Sequence, residues 1–282
     1  MKNLPIGFID SGVGGLTVVK QSLRQLPNES IIYLGDNARC PYGPRPLEEV
    51  KKYIWQLTNF LREKGIKMLV IACNTGTAAA LDDIRATLAI PVVGVIHPGS
   101  RAAIKHTVNN RIGIIGTQGT INSELYELVL KEKVEHLSVT SVACPEFVEI
   151  AESTMFNDSD IQTIVEKRLK AFEQTDIDTL VLGCTHYPLL SETIQSTIGD
   201  KVHLIDSGKE TINEVSTLLD YFNLSRSADD AINEPATQEY YTTGNTEQFS
   251  KIASQCLEQA QPNVKQAFIK GEIVVESDYS QP

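Results

Sequence analysis

Two stretches of this chain place the same chemistry at the same kind of position. Met68-Leu-Val-Ile-Ala-Cys73-Asn74-Thr75 and Thr179-Leu-Val-Leu-Gly-Cys184-Thr185-His186 each run through an apolar segment of strand character into a cysteine, then past hydrogen-bonding side chains into a helical pattern. A thiol at a helix start has its thiolate favoured by the helix dipole and by free backbone N–H groups, which lowers its pKa from about 8.5. Either cysteine alone reads first as a small buried hydrophobe. As an equivalent pair they suit another task, in which a thiolate removes a proton from one face of a carbon while a thiol returns one to the other. That is racemisation or epimerisation, and it needs both pKa values tuned toward the operating pH.

Asp10 and His186 are suitable tuners. His186 follows Cys184 in Cys-Thr-His-Tyr-Pro, where a loop brings the imidazole near the thiol or a substrate amine; an isolated histidine is otherwise structural. Asp10 and Ser11 end the apolar run 6–9, at the carboxyl end of a strand, where parallel sheets bind ligands. Glu152 on its own reads as a surface glutamate of a helix, with the reach to orient His186. Ser11, Asn74, Thr75, Thr117, Thr120 and Thr185 stand at loops or helix starts, which suit a carboxylate, although the same residue types are ordinary N-caps.

The elements that must position these groups alternate. Ile6 to Ile9 is a strand followed by Gly12-Val13-Gly14-Gly15 and a helix with Leu16, Val19, Leu23 and Leu26 on one face. The GxGxxG spacing and a following Gly-Lys-Ser/Thr are absent, so the glycines read as a tight strand-to-helix turn rather than a phosphate loop. Ile31 to Leu34 is a strand leading into 35–44, a loop rich in turn residues and a natural pocket wall. Helices around 50–61 and 78–88 flank the Cys73 strand, and Val92 to Ile96 is another strand. This βαβ rhythm implies a parallel sheet covered on both faces.

At Arg111 the pattern restarts. The strand at 112 echoes that at 6, Cys184 echoes Cys73, and Val202 echoes Val93, at offsets of 106, 111 and 109 residues. Three matches in order predict two pseudo-symmetric α/β domains, Rossmann-like or flavodoxin-like, with mainly parallel sheets and the active site in the cleft between them. The expected division is 1–97 plus 209–282 for the first and 98–208 for the second. Residues 224–237 read as a polar connection, the remainder as one or two strands around a helix at 246–258, and Ser277 to Pro282 as a frayed tail.

Bulk properties agree with such a protein. With 282 residues and 41% hydrophobic content the chain can bury a sizeable core, and a net charge of -11 without Lys/Arg clusters argues against a nucleic-acid or membrane surface. No apolar stretch reaches membrane-spanning length and the N-terminus has no signal-like h-region, so a cytoplasmic location is expected. Five scattered cysteines fit neither a disulfide framework nor a metal site. Cys40, Cys144 and Cys256 are left as structural.

Four motifs, Gly-Phe-Ile-Asp10-Ser11-Gly-Val-Gly-Gly-Leu, Gly-Asp-Asn-Ala-Arg-Cys-Pro41-Tyr42-Gly43, Ala-Cys73-Asn74-Thr75 and Leu-Gly-Cys184-Thr185-His186-Tyr-Pro, resemble glutamate racemase of the aspartate/glutamate racemase superfamily, over essentially the whole chain. The resemblance implies a cofactor-independent enzyme, needing no pyridoxal phosphate, that interconverts L- and D-glutamate and supplies D-glutamate for peptidoglycan. It implies Cys73 as the base for the D-isomer and Cys184 for the L-isomer, with Asp10, His186 and Glu152 as auxiliary residues. It carries substrate binding onto Asp10, Ser11, Pro41, Tyr42, Gly43, Asn74, Thr75, Thr117, Thr120, Thr185 and His186. A cytoplasmic homodimer is implied, and for some members DNA gyrase binding. Asn37, Gly76 and His97 depart from the family pattern, with Gly76 expected to loosen the first turn after Cys73. The rival readings are an aspartate or hydantoin racemase, a one-thiol decarboxylase, a thiol redox protein, and a non-catalytic acidic amino-acid binding protein.

Overall fold

Short apolar runs closed by glycine or a polar residue become the strands of two parallel sheets in the computed structural model, which describes residues 1–152 and 157–276. The first half runs β1 (Ile6–Asp10), α1 (Leu16–Gln25), β2 (Ile31–Gly35), α2 (Leu47–Lys64), β3 (Met68–Ile71), α3 (Asn74–Thr87) and β4 (Val92–Gly94). The second runs α4 (Ile96–His106), β5 (Arg111–Gly116), α5 (Gln118–Asn122), α6 (Leu125–Lys133), β6 (Ser138–Ala143), α7 (Glu146–Glu152), α8 (Asp158–Leu169), β7 (Thr179–Gly183), α9 (Ser191–Ile198), β8 (His203–Asp206) and α10 (Ser207–Tyr221). The chain closes with α11 (Ala228–Asn233), β9 (Gln238–Thr242), α12 (Thr246–Leu257), β10 (Val264–Gln266), β11 (Phe268–Lys270) and β12 (Ile273–Val275).

The sheet orders make the internal repeat explicit. The first sheet is β10-β9-β2-β1-β3-β4 and the second β6-β5-β7-β8, with every pairing in both parallel. The orders 2-1-3-4 and 6-5-7-8 are the same, so the three sequence echoes extend to a fourth pair, β2 and β6. β6 has no apolar run because it is a partly exposed edge strand, and sequence periodicity passes over it. The last part of the chain returns to the first sheet, β9 pairing with β2 and β10 with β9.

Both faces of β1 are covered, as parallel strands require. Ile6 and Phe8 pack with Leu16 and Val19 of α1, Ile212 and Val215 of α10 and Phe249 of α12. Ile9 faces the other way, toward Ile54 and Leu57 of α2 and Leu81 and Ile84 of α3. In the second sheet, Ile115 and Leu182 pack with Phe147, Val165 and Leu169, while Ile112 and Ile114 pack with Ala103 and Leu130. Helix α10 touches both α1 and α4, tying the two halves together. Parallel order then gathers Asp10, the loop after β2, Cys73, Thr117 and Cys184 at the carboxyl ends of strands.

Two expectations for the last part change. The stretch 224–237 is not merely polar connection: Arg226 is buried, and α11 forms behind a capping box between Ser227 and Asp230. Beyond β9 and β10 there is also an antiparallel hairpin, β11 with β12, too short to show periodicity. Ser277 to Pro282 lie outside the described residues. No described helix is long and apolar enough to cross a membrane.

Where the first sheet begins, fully buried Lys67 pairs with the Glu29 carboxylate and donates to the carbonyls of Lys2 (2.6 Å) and Leu224 (2.9 Å). The Arg226 backbone N–H also donates to Glu29, at 2.8 Å. Removing one partner strands the other charge in the core. Lys67→Ala should therefore cost about 3–5 kcal/mol in urea unfolding, while Lys67→Met with Glu29→Leu should recover much of it.

Candidate active site

Cys73 stands between β3 and α3 and is itself the N-cap of α3. The Gly76 N–H donates to its sulfur at 3.3 Å. The helix start favours a thiolate, but burial outweighs it: desolvation and the nearby Asp10 carboxylate push the thiol up to about 12. Gly76 is more than a soft point in the first turn. A Cβ there would lie 2.6 Å from Ile54 Cδ1, so the missing side chain lets α3 close on α2.

Cys184 differs from its counterpart. The residues after it enter a 3-10 turn, Tyr187–Leu190, holding Pro188, and α9 starts only at Ser191. The helix-start argument therefore applies to Cys73 and not to Cys184, whose partner is a side chain. His186 Nδ1 lies 3.7 Å from the Cys184 sulfur and His186 Nε2 lies 2.9 Å from Glu152 Oε1. Burial opposes a charge on His186, but hydrogen bonds to Cys184 and Glu152 prevail and push it up to about 10. Burial likewise opposes ionisation of Glu152, yet the hydrogen bond and charge of His186 hold it below the usual carboxylate range.

Asp10 lies beneath both. Its Oδ2 accepts the N–H groups of Gly12 (3.1 Å) and Gly15 (3.0 Å), and Thr185 Oγ1 donates to its Oδ1 at 3.4 Å. Burial raises its pKa, opposed by His186 and the glycine N–H groups. The glycine turn is thus braced by the carboxylate it follows. Gly14 serves a close approach: a Cβ there would lie 2.4 Å from Thr185 Oγ1 and 2.6 Å from His186 Cε1.

Ser11, Pro41, Tyr42, Gly43, Asn74, Thr75, Thr117, Thr185 and His186 line one cavity with both thiols. Thr120 lies behind this wall, in a triangle with Thr75 and Thr117 whose hydroxyl oxygens are 2.8 to 3.2 Å apart. Asp10 and Glu152 support the wall from outside. The loop after β2 is anchored at Asp36, which accepts from Tyr42, Arg39 (2.7 Å) and Thr243 (2.7 Å). Asn37 stands back from the cavity, accepting from Thr242 at 2.9 Å. His97 lies within α4, not in the wall.

Contacts between the two sets of strand ends close the cavity. The Gly119 N–H donates to the Gly43 carbonyl at 2.8 Å, Thr17 Oγ1 to the Thr185 carbonyl at 3.0 Å, and the Tyr126 hydroxyl to Asn74 Oδ1 at 2.7 Å. This last bond turns Asn74 Nδ2 out as a buried donor without a partner among the described residues. The space left is about 20 Å³, room for about one water.

Sequence reasoning overlooked Cys40, Val148 and Tyr126. Cys40, expected to be structural, lines the cavity with Val148. Tyr126 looks like any amphipathic helix residue, and only the fold brings it to Asn74. Cys144 and Cys256 lie outside this wall. Among the described residues no group of three or more His, Cys, Asp or Glu is placed to hold a metal ion.

A family model described as Asp/Glu/Hydantoin racemase matches residues 6–215. The chain is 58% identical over 258 residues to the glutamate racemase of Carnobacterium sp. (strain St2), covering 92% of this chain and 96% of that protein. Among solved structures, glutamate racemase isoform RacE1 from Bacillus anthracis is similar with a TM-score of 0.91 and 43% identity, over 97% of this chain and all of that one. The Francisella tularensis glutamate racemase, solved in complex with D-glutamate, follows the fold with a TM-score of 0.86 and 33% identity, over 96% of this chain and 98% of that one.

The hydrogen-bond relay makes a prediction independent of activity. In ¹⁵N NMR the His186 imidazole should stay protonated through neutral pH and lose its proton near 10. Glu152→Gln removes one support of the cation and should move that titration down; an unmoved titration would show that Glu152 does not sustain the charge.

Proposed function

The chain belongs to the Asp/Glu/Hydantoin racemase family, and on that premise we propose that it interconverts L- and D-glutamate by moving the α-proton between two thiols, supplying D-glutamate for peptidoglycan. The observation that supports this reading best is that Cys73 and Cys184, from the ends of two different sheets, line one buried cavity. For L-glutamate, the Cys184 thiolate takes the α-proton and the Cys73 thiol gives its proton to the opposite face. The product leaves with Cys73 as thiolate and Cys184 as thiol, so that the reverse reaction starts from the state the forward one ends in. His186 stands beside Cys184 throughout, held by Glu152.

A substrate carboxylate needs donors that are buried and free. Asn74 Nδ2 is one, and Thr75 and Thr117, which line the cavity, can turn their hydroxyls to the carboxylate by giving up the bonds they now make to each other and to Thr120 behind them. Ser11, Thr185 and the backbone around Pro41, Tyr42 and Gly43 complete the pocket. Because about 20 Å³ does not admit an amino acid, the contacts between the two sets of loops must part to admit substrate, and closing them excludes water from the reaction. We take the two moving bodies to be 1–97 plus 209–282 and 98–208, in a cytoplasmic homodimer.

In D2O without pyridoxal phosphate, the protein should wash deuterium into the α-position of glutamate while optical rotation falls to zero; no exchange with either isomer refutes the reading. Aspartate in the same assay separates it from an aspartate racemase. Cys73→Ser and Cys184→Ser should each lower racemisation by about 10²–10⁴-fold, and wild-type rates in either would remove the two-thiol scheme. Gly14→Ala, which pushes Thr185 and His186 aside, should cost roughly tenfold or more in kcat and about 1–3 kcal/mol of stability in urea unfolding.

A further inference from the structure

Cys40 brings a third sulfur to this site. It lies in the loop after β2, on the first sheet's side of the cavity, and its Sγ is 3.8 Å from Glu152 Oε1, the same oxygen that lies 2.9 Å from His186 Nε2. We propose, building on the racemase reading above, that Cys40 is a positioning residue whose thiol donates across the cleft to Glu152 and keeps that carboxylate on His186, and so keeps the imidazolium beside Cys184.

Glu152 needs such a hold. It is the last residue of α7, its side chain is 34% exposed, and it borders a separate cavity of about 200 Å³ shared with Asn37, Asn245 and Gln248, into which the carboxylate has room to turn. Cys40 borders the same space and the substrate cavity, which puts its sulfur at the junction where the carboxylate must be kept.

The thiol is suited to donate. Burial and the charges of Glu152 and Asp10 push its pKa up, so it stays S–H rather than becoming a second anion beside Glu152. The backbone leaves space for the contact: a Cβ on Gly12 would lie 3.0 Å from the Cys40 sulfur and 3.4 Å from Glu152 Oε1. The titratable groups facing the Glu152–His186 pair are Asp10 at the end of β1, Cys184 after β7 and Cys40 itself. Of these Cys40 is the neutral donor supplied by the first sheet's loops to Glu152, so the relay is complete only when the cleft is shut.

Cys40→Ala and Cys40→Ser test this. L- and D-glutamate have equal free energies, so kcat/KM must be the same in both directions, and the informative quantities are kcat with each isomer, its pH profile and the His186 titration. Cys40→Ala should lower kcat with L-glutamate about two- to fivefold, the size a weak S–H···O contact supplies, and should shift both the alkaline limb and the NMR titration of His186 to lower pH. Cys40→Ser, which keeps a donor, should restore most of both. An unshifted His186 titration in Cys40→Ala, or a Cys40→Ser variant as impaired as Cys40→Ala, overturns the proposal, and the titration decides it even if activity is lost through misfolding of the pocket. Failure of the wild-type protein to racemise glutamate would instead overturn the functional reading.

Discussion

Everything at the centre of this protein depends on how closely two sets of strand-end loops approach each other. Two sulfurs can serve one carbon only if they share a small buried volume, and each belongs to a different sheet. Glycine makes the approach possible where it is tightest: Gly14 lies under Thr185 and His186, and Gly43 lies against Gly119 and Thr117. Polar groups trapped there are bonded across the cleft, Tyr126 to Asn74 and Thr75 to Thr117 and Thr120. Asn74 Nδ2 is different, a buried donor with no hydrogen-bond partner among the described residues, a bond that is costly to leave unmade.

The repeated architecture does not give the two cysteines like surroundings. Cys73 relies on the backbone, as the cap of a helix, and burial keeps it a thiol at neutral pH. Cys184 relies on His186 and Glu152. A two-base reaction needs opposite protonation states at the two positions, and different surroundings supply a bias that symmetric surroundings would not. The same overall topology thus reaches the same side chain by two routes, one through peptide dipoles and the other through an ion pair.

Much of this was legible in the chain because the informative signals are local. Apolar runs ending in cysteine, the glycine turn after Asp10 and the repeat near 110 residues are continuous in sequence, and the strand orders of the two sheets follow them. What was not legible rests on distant partners or weak patterns. Cys40 meets Glu152 across 112 positions, and Tyr126 reaches Asn74 across 52. β6 escapes because a partly exposed edge strand needs no apolar run, and the different settings of the two thiols escape because Cys184 has no helix directly after it, although Pro188 hinted at the break.

The order in which the first sheet is assembled has a consequence for synthesis on the ribosome. β2 is flanked on one side by β1 and on the other by β9, which is made some two hundred residues later. The four strands of the second sheet are complete before then. Until β9 emerges, β2 carries an open hydrogen-bonding edge beside side chains destined to be wholly buried, a template for pairing with another nascent chain. Truncation before Gln238 therefore removes more than an appendage: it leaves the thiol sequences intact while turning an interior strand into an adhesive one.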